Sequence, residues 1–314
     1  MTTSLFFAPI AATAALLVGL RAFAADSAPS ASVTLRLEAP GPVVNPNLYG
    51  HFAEHLGHCI YTSSNDRNKR KTHATEFAED GWFRALREAL KMEELIVNHS
   101  LIMDKYDPAK KVGMVIDEWG IWYAVEKDTN PGFLYQQNTL RDGVIAALHF
   151  HIFQRHADRV SMTNIAQTVN VLQAMILTQG GKMLRTPTYW VFEMFKGHQG
   201  GTVIQTEIQS PDYVFADSKI PALSASATRS KDGAILLSLT NTHPNQPLAT
   251  RVVLAGIAGK TITGRILTAA TMQAHNTFEA PDAVQPTAFA AFKATDAALS
   301  VEMPAKSVVT LEIR

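Results

Sequence analysis

The chain has 314 residues, of which 46% are hydrophobic and 18% are charged, so its composition is that of a globular protein. Its 28 basic side chains balance 28 acidic ones, which argues against nucleic acid or an anionic membrane as a partner. The single cysteine, Cys59, excludes an internal disulfide, and we interpret it as a buried apolar residue.

The first 25 residues have the pattern of an export signal. An apolar run ends near Leu20, and small residues around Ala24 form a cleavage site. No Lys or Arg precedes the run, so an uncleaved membrane anchor is the alternative. The sequence therefore predicts a signal peptide over residues 1–25 and a secreted or periplasmic mature chain that has no stable membrane association. Residues 26–47 are predicted to form a flexible leader and an N-terminal strand that joins the C-terminal sheet domain.

The next predicted elements are a strand over residues 48–52, a polar loop and a long helix. Glu54 lies just past the end of the strand. Apolar residues at helical spacing predict the helix over residues 76–97.

The apolar run at residues 112–118 predicts a buried strand that ends at Glu118. In parallel α/β folds the reacting groups lie where a strand ends and the following loop begins. Asp117 and Glu118 point to opposite sides of the strand, so they do not form a catalytic pair. Trp119, Trp122 and Tyr123 supply flat apolar surface that suits a sugar ring, although buried aromatic residues are more often ordinary core. The alternative is that both acids face water at the rim of a sheet.

Three further helices are predicted after this strand. Thr139 and Asp142 have capping-box spacing and begin the first, and a short buried strand follows it at residues 160–162. The second helix is predicted over residues 166–177, with Gly180 and Gly181 in a turn after its C-terminus. The alternation of helices and strands indicates a parallel α/β sheet or barrel.

The third helix is predicted to begin with Thr186 as N-cap and Pro187 as first residue, and to end near Gly197. Residues 199–314 then change character. Short apolar strands separated by Asn, Pro and Gly turns predict an all-β domain, a sandwich. No His or Cys cluster has zinc-ligand spacing, so we expect neither a metal nor a cofactor.

Four segments together resemble the α-L-arabinofuranosidases of glycoside hydrolase family 51. They are YGHFAEHLG at 49–57, VIDEWGIWY at 115–123, NPGFLYQQNTLRD at 130–142 and MTNIAQTVNVLQA at 162–174. The resemblance implies a (β/α)8 barrel followed by a β-sandwich. It also implies retaining hydrolysis of terminal arabinofuranosyl residues from arabinan or arabinoxylan, and it makes homo-oligomers a family expectation.

The resemblance also assigns residue roles. Glu118 corresponds to the nucleophile, Glu54 to a carboxylate that holds sugar hydroxyls, and Gln167 to a polar contact in the same subsite. Trp122 is the aromatic residue that we expect against the sugar. The implied partner is an arabinose-containing polysaccharide or oligosaccharide.

The chain departs from the family in the barrel. Residues 48–198 make up about 150 residues with three clear strands, whereas a full barrel needs roughly 200 or more. The prediction is therefore an incomplete TIM-like barrel, joined near residues 63–72. The family's acid/base lies in a Gly-Asn-Glu segment, and this sequence contains no Asn-Glu pair. Three hypotheses follow: an arabinofuranosidase acting through Glu118, a non-catalytic carbohydrate-binding or structural remnant, or an internally deleted enzyme without independent function.

Overall fold

The computed structural model describes residues 30–39, 41–52, 73–254 and 259–314. Glu54, Cys59 and residues 1–25 lie outside these ranges, and what the sequence predicts for Glu54 and Cys59 remains a prediction.

The N-terminal part of the described chain combines helices with short strands. The helices are α1 (Glu79–Asp104), α2 (Leu140–Arg155) and α3 (Pro187–Phe195). The strands are β1 (Ser30–Arg36), β2 (Gly50–Phe52), β3 (Met114–Trp119), β4 (Val160–Ala166), β5 (Ile176–Gln179) and β6 (Lys182–Arg185).

The C-terminal part contains eleven further strands in the described ranges. They are β7 (Thr202–Gln209), β8 (Asp212–Phe215), β9 (Ser218–Pro221), β10 (Leu223–Arg229), β11 (Ile235–Asn241), β12 (Leu248–Val253), β13 (Ile262–Leu267), β14 (Thr287–Ala288), β15 (Phe292–Ala294), β16 (Ala298–Met303) and β17 (Ser307–Ile313).

A three-stranded parallel sheet has the order β2-β4-β3. Because all three strands run the same way, their carboxyl ends meet at one edge. Strand β3 lies at the side of this sheet, and Val115 is 47% exposed, so one face of the strand is not covered there. The prediction that residues 112–118 form a strand buried on both faces is therefore wrong, although the strand itself is present.

Ten strands form the second, larger sheet, in the order β14-β13-β17-β11-β10-β7-β1-β12-β16-β15. Strand β7 pairs with β1 over residues 205–209 and with β10 over residues 202–204. The predicted sandwich of two separate sheets is thus one continuous, curled sheet, because β7 belongs to both halves. The sheet-rich character predicted for the C-terminal part is confirmed.

Helix α2 packs between the helices and the curled sheet. Every residue from 140 to 154 is buried, and α2 contacts α1, α3, β10, β11 and β17. Its inner face carries polar groups with buried partners: His151 Nδ1 lies 2.9 Å from Ser224 Oγ, and Gln154 Nε2 donates to Tyr49 Oη at 2.7 Å. The parallel sheet and the curled sheet therefore share one core.

Two predicted helix starts are confirmed. The Thr139 amide donates to Asp142 Oδ2 at 2.8 Å within a capping box at the start of α2. Thr186 Oγ1 accepts from the Tyr189 amide at 3.3 Å, and Pro187 is the first residue of α3. The first backbone N–H groups of every helix need hydrogen-bond partners, and residues close by in the chain supply them. For this reason the sequence alone locates these helix starts.

The helix predicted over residues 166–177 is wrong. The chain turns after β4, with Asn170 and Leu172 at φ of 59° and 52°, and then enters the β5–β6 hairpin. Gly180, at φ 57°, lies in the turn of that hairpin and is not a helix C-cap. Apolar spacing predicted a helix because periodicity takes no account of the tertiary contacts that bend this segment.

Candidate active site

Glu118 lies near the carboxyl end of β3, and its side chain is exposed. The next residue, Trp119, is buried. Its ring stacks parallel to Phe192 at a centroid distance of 6.0 Å and meets Phe150 edge-on at 5.6 Å. Trp119 therefore anchors the strand end in the core, and Glu118 is presented at the rim.

Two buried glutamines fix the loop that follows β3. The Ile121 amide donates to Gln173 Oε1 at 2.9 Å. Gln136 Nε2 donates to the Ile121 carbonyl at 2.9 Å, while its Oε1 accepts from the Tyr123 amide at 2.8 Å. Trp122 lies between these fixed residues and is 41% exposed. The loop thus holds an aromatic surface near the carboxyl end of β3.

Arg141, at the start of α2, supports this loop from the core side. Its guanidinium lies 4.1 Å from the centroid of the Tyr123 ring and 3.6 Å from that of Phe77. It also donates to the carbonyls of His73 and Ala74, at 3.3 and 3.0 Å. Because the side chain is fully buried, these contacts replace its lost hydration.

Burial also governs the titration of the neighbouring groups. It raises the pKa of Tyr123 well above its usual value, and the Asp142 charge adds to that effect. Burial raises the pKa of Asp142 as well, against the opposing Arg141 charge. Tyr123 is consequently a neutral, structural residue at neutral pH.

Gln167 directly follows β4 and is 3% exposed. Ile165 pairs with Trp119 in the sheet, so Gln167 and Glu118 lie at the same edge. On the other side of β4, His51 of β2 has its Nδ1 2.6 Å from Thr168 Oγ1. The structure therefore brings Glu118, Trp122 and Gln167 to one edge of the parallel sheet.

Sequence reasoning missed Gln136, Gln173 and Arg141 as supports of the site. All three lie within segments that carry the family resemblance, but neutral amides and an arginine next to a capping box gave no chemical signal of their own. Their role depends on the backbone groups with which they form hydrogen bonds. The fold determines which groups those are.

Within the described ranges, no three His, Cys, Asp or Glu side chains are grouped so that they could hold a metal ion. Among the same residues, none of the helices combines the length and apolar composition needed to cross a bilayer.

In parallel α/β folds the reacting groups lie where the strands end, and Glu118 and Trp122 lie at such an edge. The family model described as the alpha-L-arabinofuranosidase C-terminal domain matches residues 117–307. This match covers more than half of the chain, from the end of β3 through most of the curled sheet. The chain therefore belongs to the α-L-arabinofuranosidase C-terminal domain family.

Relatives and solved structures agree with this assignment. An intracellular exo-alpha-L-arabinofuranosidase of Bacteroides ovatus is 39% identical over 269 residues, which is 85% of this chain and 52% of the relative. A family 51 arabinofuranosidase structure from Xanthomonas axonopodis pv. citri is 47% identical with a TM-score of 0.76, and the match covers 78% of this chain and 50% of that one. The chain spans about half the length of these proteins.

The prediction of export is wrong. The Bacteroides ovatus relative is named as intracellular, and so is a Streptomyces lividans relative that is 26% identical over 64% of this chain and 33% of its own. The prediction depended on the apolar run that ends near Leu20, which lacks the preceding positive charge that export signals usually carry.

Proposed function

We propose that this chain retains the arabinofuranose-binding edge of a family 51 glycoside hydrolase, with Glu118 as its nucleophile. In this proposal the parallel strands β2, β4 and β3 are the surviving part of an incomplete (β/α)8 barrel over residues 48–198. The curled sheet over residues 199–314, together with the strand in residues 26–47, is the accompanying C-terminal domain. The observation that carries the proposal is an exposed Glu118 at the carboxyl edge of parallel strands, with Trp122 and Gln167 at the same edge.

The residues to which the sequence assigns a substrate role have distinct functions in the proposal. The Trp122 ring offers an apolar face for the sugar, and the Gln167 amide and Glu54 carboxylate hold its hydroxyl groups. The ligand is a terminal arabinofuranosyl residue of an arabinose-containing polysaccharide or oligosaccharide.

The reaction proceeds by double displacement. A Glu118 carboxylate oxygen attacks the anomeric carbon, and the bond to the leaving oxygen breaks, with the electron pair departing on that oxygen. Water then attacks the anomeric carbon of the arabinosyl ester, the ester C–O bond breaks, and the Glu118 carboxylate is regenerated. The water proton passes to solvent, and the configuration is retained.

Because the chain lacks the family's Asn-Glu segment, both the attack by Glu118 and the later attack by water should be slow. A retaining glycosidase uses a second carboxyl group about 5 to 5.5 Å from the first, which protonates the leaving oxygen and later deprotonates water. Loss of such a general acid/base costs roughly 100-fold to 10,000-fold in rate. We therefore expect cleavage of substrates whose leaving group needs no protonation, and very slow cleavage of arabinan or arabinoxylan.

The test uses an aryl α-L-arabinofuranoside with a good leaving group. We expect an initial burst of phenol followed by slow turnover, because the second step lacks its general base. Azide, a nucleophile that needs no base, should accelerate the slow phase and yield arabinosyl azide. Glu118→Gln should abolish the burst, whereas the neighbouring Asp117→Asn should keep it and serves as the matched control. Phenol release that survives in Glu118→Gln would overturn the proposal.

The absence of an Asn-Glu pair favours a second candidate function, a non-catalytic carbohydrate-binding remnant. Calorimetric titration with an arabino-oligosaccharide distinguishes the two. Binding that Trp122→Ala weakens, without phenol release from the aryl substrate, would support the binding function. Neither binding nor release from folded protein would support the third hypothesis, a deleted enzyme without independent function.

A further inference from the structure

The loop between β13 and β14 (residues 268–286) belongs to the curled sheet but extends to the candidate site. The Leu140 amide donates to the Ala274 carbonyl at 2.8 Å, and Thr139 and His275 form an isolated antiparallel bridge. These contacts place the β13–β14 loop beside the end of the segment that joins β3 to α2. The curled sheet therefore reaches the loop after β3, which carries the exposed tryptophan of the site.

Asn276 is the centre of this contact. Its side chain is buried, and Nδ2 donates to the carbonyls of Arg185 and Val284 at 2.7 and 2.9 Å, while Oδ1 accepts from the Val284 amide at 2.6 Å. Arg185 is the last residue of β6, so this side chain joins the β13–β14 loop to the β5–β6 hairpin. The Asn276 carbonyl accepts from Gln137 Nε2 at 2.9 Å. Asn276 thus holds the hairpin with its side chain and the loop after β3 with its backbone.

Gln137 connects this contact to Trp122. The preceding residue, Gln136, forms hydrogen bonds with the backbone of both residues that flank Trp122. The Gln137 amide donates to Glu126 Oε1 at 2.9 Å, and the Glu126 amide donates to the Tyr135 carbonyl at 2.9 Å. The position of the loop after β3 relative to the parallel sheet therefore depends on its attachment to the curled sheet.

A small apolar cluster joins the same segments. Ala174, Leu177 and Leu184 are buried in it, and Tyr135 and Phe278 pack against them. Tyr135 comes from the loop after β3, Phe278 from the β13–β14 loop, and the two leucines from the β5–β6 hairpin. In the described part of the chain this cluster is distinct from the main core. It packs the curled sheet against both loops of the candidate site.

Gln167 lies at the start of the second of these loops, the one after β4. Its amide donates to the Val171 carbonyl at 3.1 Å, and its carbonyl accepts from the Met175 amide at 3.4 Å. The Leu172 amide donates to the Leu134 carbonyl at 3.0 Å, which joins the loop after β4 directly to the loop after β3. A displacement of either loop should therefore move the other.

We propose that Asn276 is a positioning residue of the sugar site, a role that rests on the proposed function, in which Trp122 and Gln167 bind the arabinofuranosyl residue. Asn276 does not touch the sugar. By holding the hairpin and the loop after β3 together, it fixes the distance between the two sugar-binding side chains before the ligand arrives. Such preorganisation lowers the entropic cost of binding. The curled sheet is thus needed for sugar binding and not only for folding.

Glu118 does not depend on this support. It precedes Trp119, whose ring packs against Phe150 and Phe192 in the main core. Loss of the Asn276 contacts should leave the nucleophile in place and disturb the groups that bind the sugar. The expected signature is a higher substrate concentration for the half-maximal burst of phenol, with little change in the burst rate at saturation.

Burst kinetics with the aryl α-L-arabinofuranoside and hydrogen–deuterium exchange test the proposal together. In Asn276→Ala the substrate concentration for the half-maximal burst rate should rise roughly tenfold, while the rate at saturation changes less than about threefold. Backbone amides of residues 120–137 and 167–176 should exchange faster, because the contacts that hold both loops are lost.

Asn241→Ala is the matched control, because Asn241 is an equally buried asparagine of the curled sheet. It donates to the carbonyls of Gln246 and Pro304 at 2.9 and 3.0 Å and accepts from the His243 amide at 3.0 Å. Its replacement should lower stability about as much as that of Asn276. It should leave the exchange of both loops and the burst unchanged.

Gln137→Met is a second variant, which removes the bond to the Asn276 carbonyl and leaves the Asn276 side chain in place. It should reproduce the shift in half-saturating substrate concentration. Equal effects of Asn276→Ala and Asn241→Ala, or a burst and an exchange pattern that Gln137→Met leaves unchanged, would overturn the positioning role. A wild-type chain that releases no phenol would overturn the proposed function instead, and the exchange of the two loops would then decide the positioning role by itself.

Discussion

Helices α2 and α1 belong to the same unit, yet they differ greatly in burial. Every residue of α2 from 140 to 154 is buried between the other helices and the curled sheet. In contrast, the second half of α1 has one fully buried large side chain, Ile96, and exposes Leu101 and Ile102. The stabilising core therefore lies around α2. The candidate site lies at its margin, where Trp119 faces the core and Glu118 faces solvent.

The residues that stabilise the fold and the residues of the candidate site therefore lie in different parts of the molecule. Side chains that pack on α2 should matter greatly for folding, whichever ligand the protein binds. Side chains on the exposed flank of β3 and α1 should matter little for stability.

Acid should unfold the protein through histidines buried around α2. Burial lowers the pKa of His149 to about 4 and that of His198 to about 3, and it lowers the pKa of His151 well below its usual value. In the unfolded chain these groups titrate near 6.5. Below that pH the unfolded state binds more protons than the folded state, so the free energy of unfolding falls as pH falls. The loss of stability begins near pH 6.5 and continues as the pH falls toward the folded-state pKa values, about 4 for His149 and about 3 for His198.

Urea unfolding at a series of pH values checks this expectation. The midpoint should fall steeply as pH drops from about 7 to about 5, and replacing the exposed His99 by Asn should leave the slope unchanged. A midpoint that does not change over this interval would show that the histidines are not buried as described.

Phe150→Ala should destabilise the fold by about 3–5 kcal/mol, because it opens a cavity in the α2 core. The Phe150 ring packs 4.5 Å from Tyr49 and 4.7 Å from Phe192, measured between ring centroids. Val115→Ala on the exposed flank should change stability by less than about 0.5 kcal/mol. Chemical denaturation of both variants measures the difference, and similar losses would contradict the contrast in burial.

Gln173→Leu should weaken the site as well as the fold. The Gln173 side chain accepts from the Ile121 amide and donates to the Asp142 carbonyl, both at 2.9 Å, and to Thr188 Oγ1 at 3.2 Å. Removing it leaves buried polar groups without partners, at a cost of about 1–3 kcal/mol. The loop that carries Trp122 loosens, so the phenol burst from the aryl arabinofuranoside should slow roughly tenfold to a hundredfold. Loss of stability with an unchanged burst rate would show that the loop does not depend on Gln173.

The smallest effect should come from the N-cap of α3. Thr186→Ala removes the hydroxyl that accepts from the Tyr189 amide, at a cost of about 1 kcal/mol. Thr186→Ser keeps the hydroxyl and should retain most of the stability. Thermal denaturation compares the two variants. Equal melting temperatures would show that the Thr186 hydroxyl does not stabilise the protein by capping α3.

Local signals predicted much of this fold. The capping box at Thr139, the N-cap at Thr186 and the strands of the C-terminal part are confirmed because each depends on near neighbours in the chain. The turn after β4 was missed, since the contacts that replace a helix there come from distant residues. The exposure of Val115 was missed because it depends on whether another element packs on that face of β3, which apolar composition does not show.

For the site, the sequence located Glu118 at a strand end and Trp122 close behind it. It did not identify Gln136, Gln173 or Arg141, whose importance comes from the backbone groups they bind and not from their own chemistry. The roles of Glu118, Trp122 and Gln167 toward a sugar remain proposals that the structure makes specific enough to test.

Intact-mass spectrometry of the chain after mixing with an aryl α-L-arabinofuranoside tests the central claim most directly. Because the deglycosylation step lacks a general base, the arabinosyl ester should accumulate and add the mass of one anhydropentose per chain. Peptide mapping should place the adduct on Glu118, and Glu118→Gln should remain unmodified while Asp117→Asn is modified like the wild type. An unmodified wild-type chain that releases no phenol, or an adduct on another residue, would contradict the assignment of Glu118 as the nucleophile.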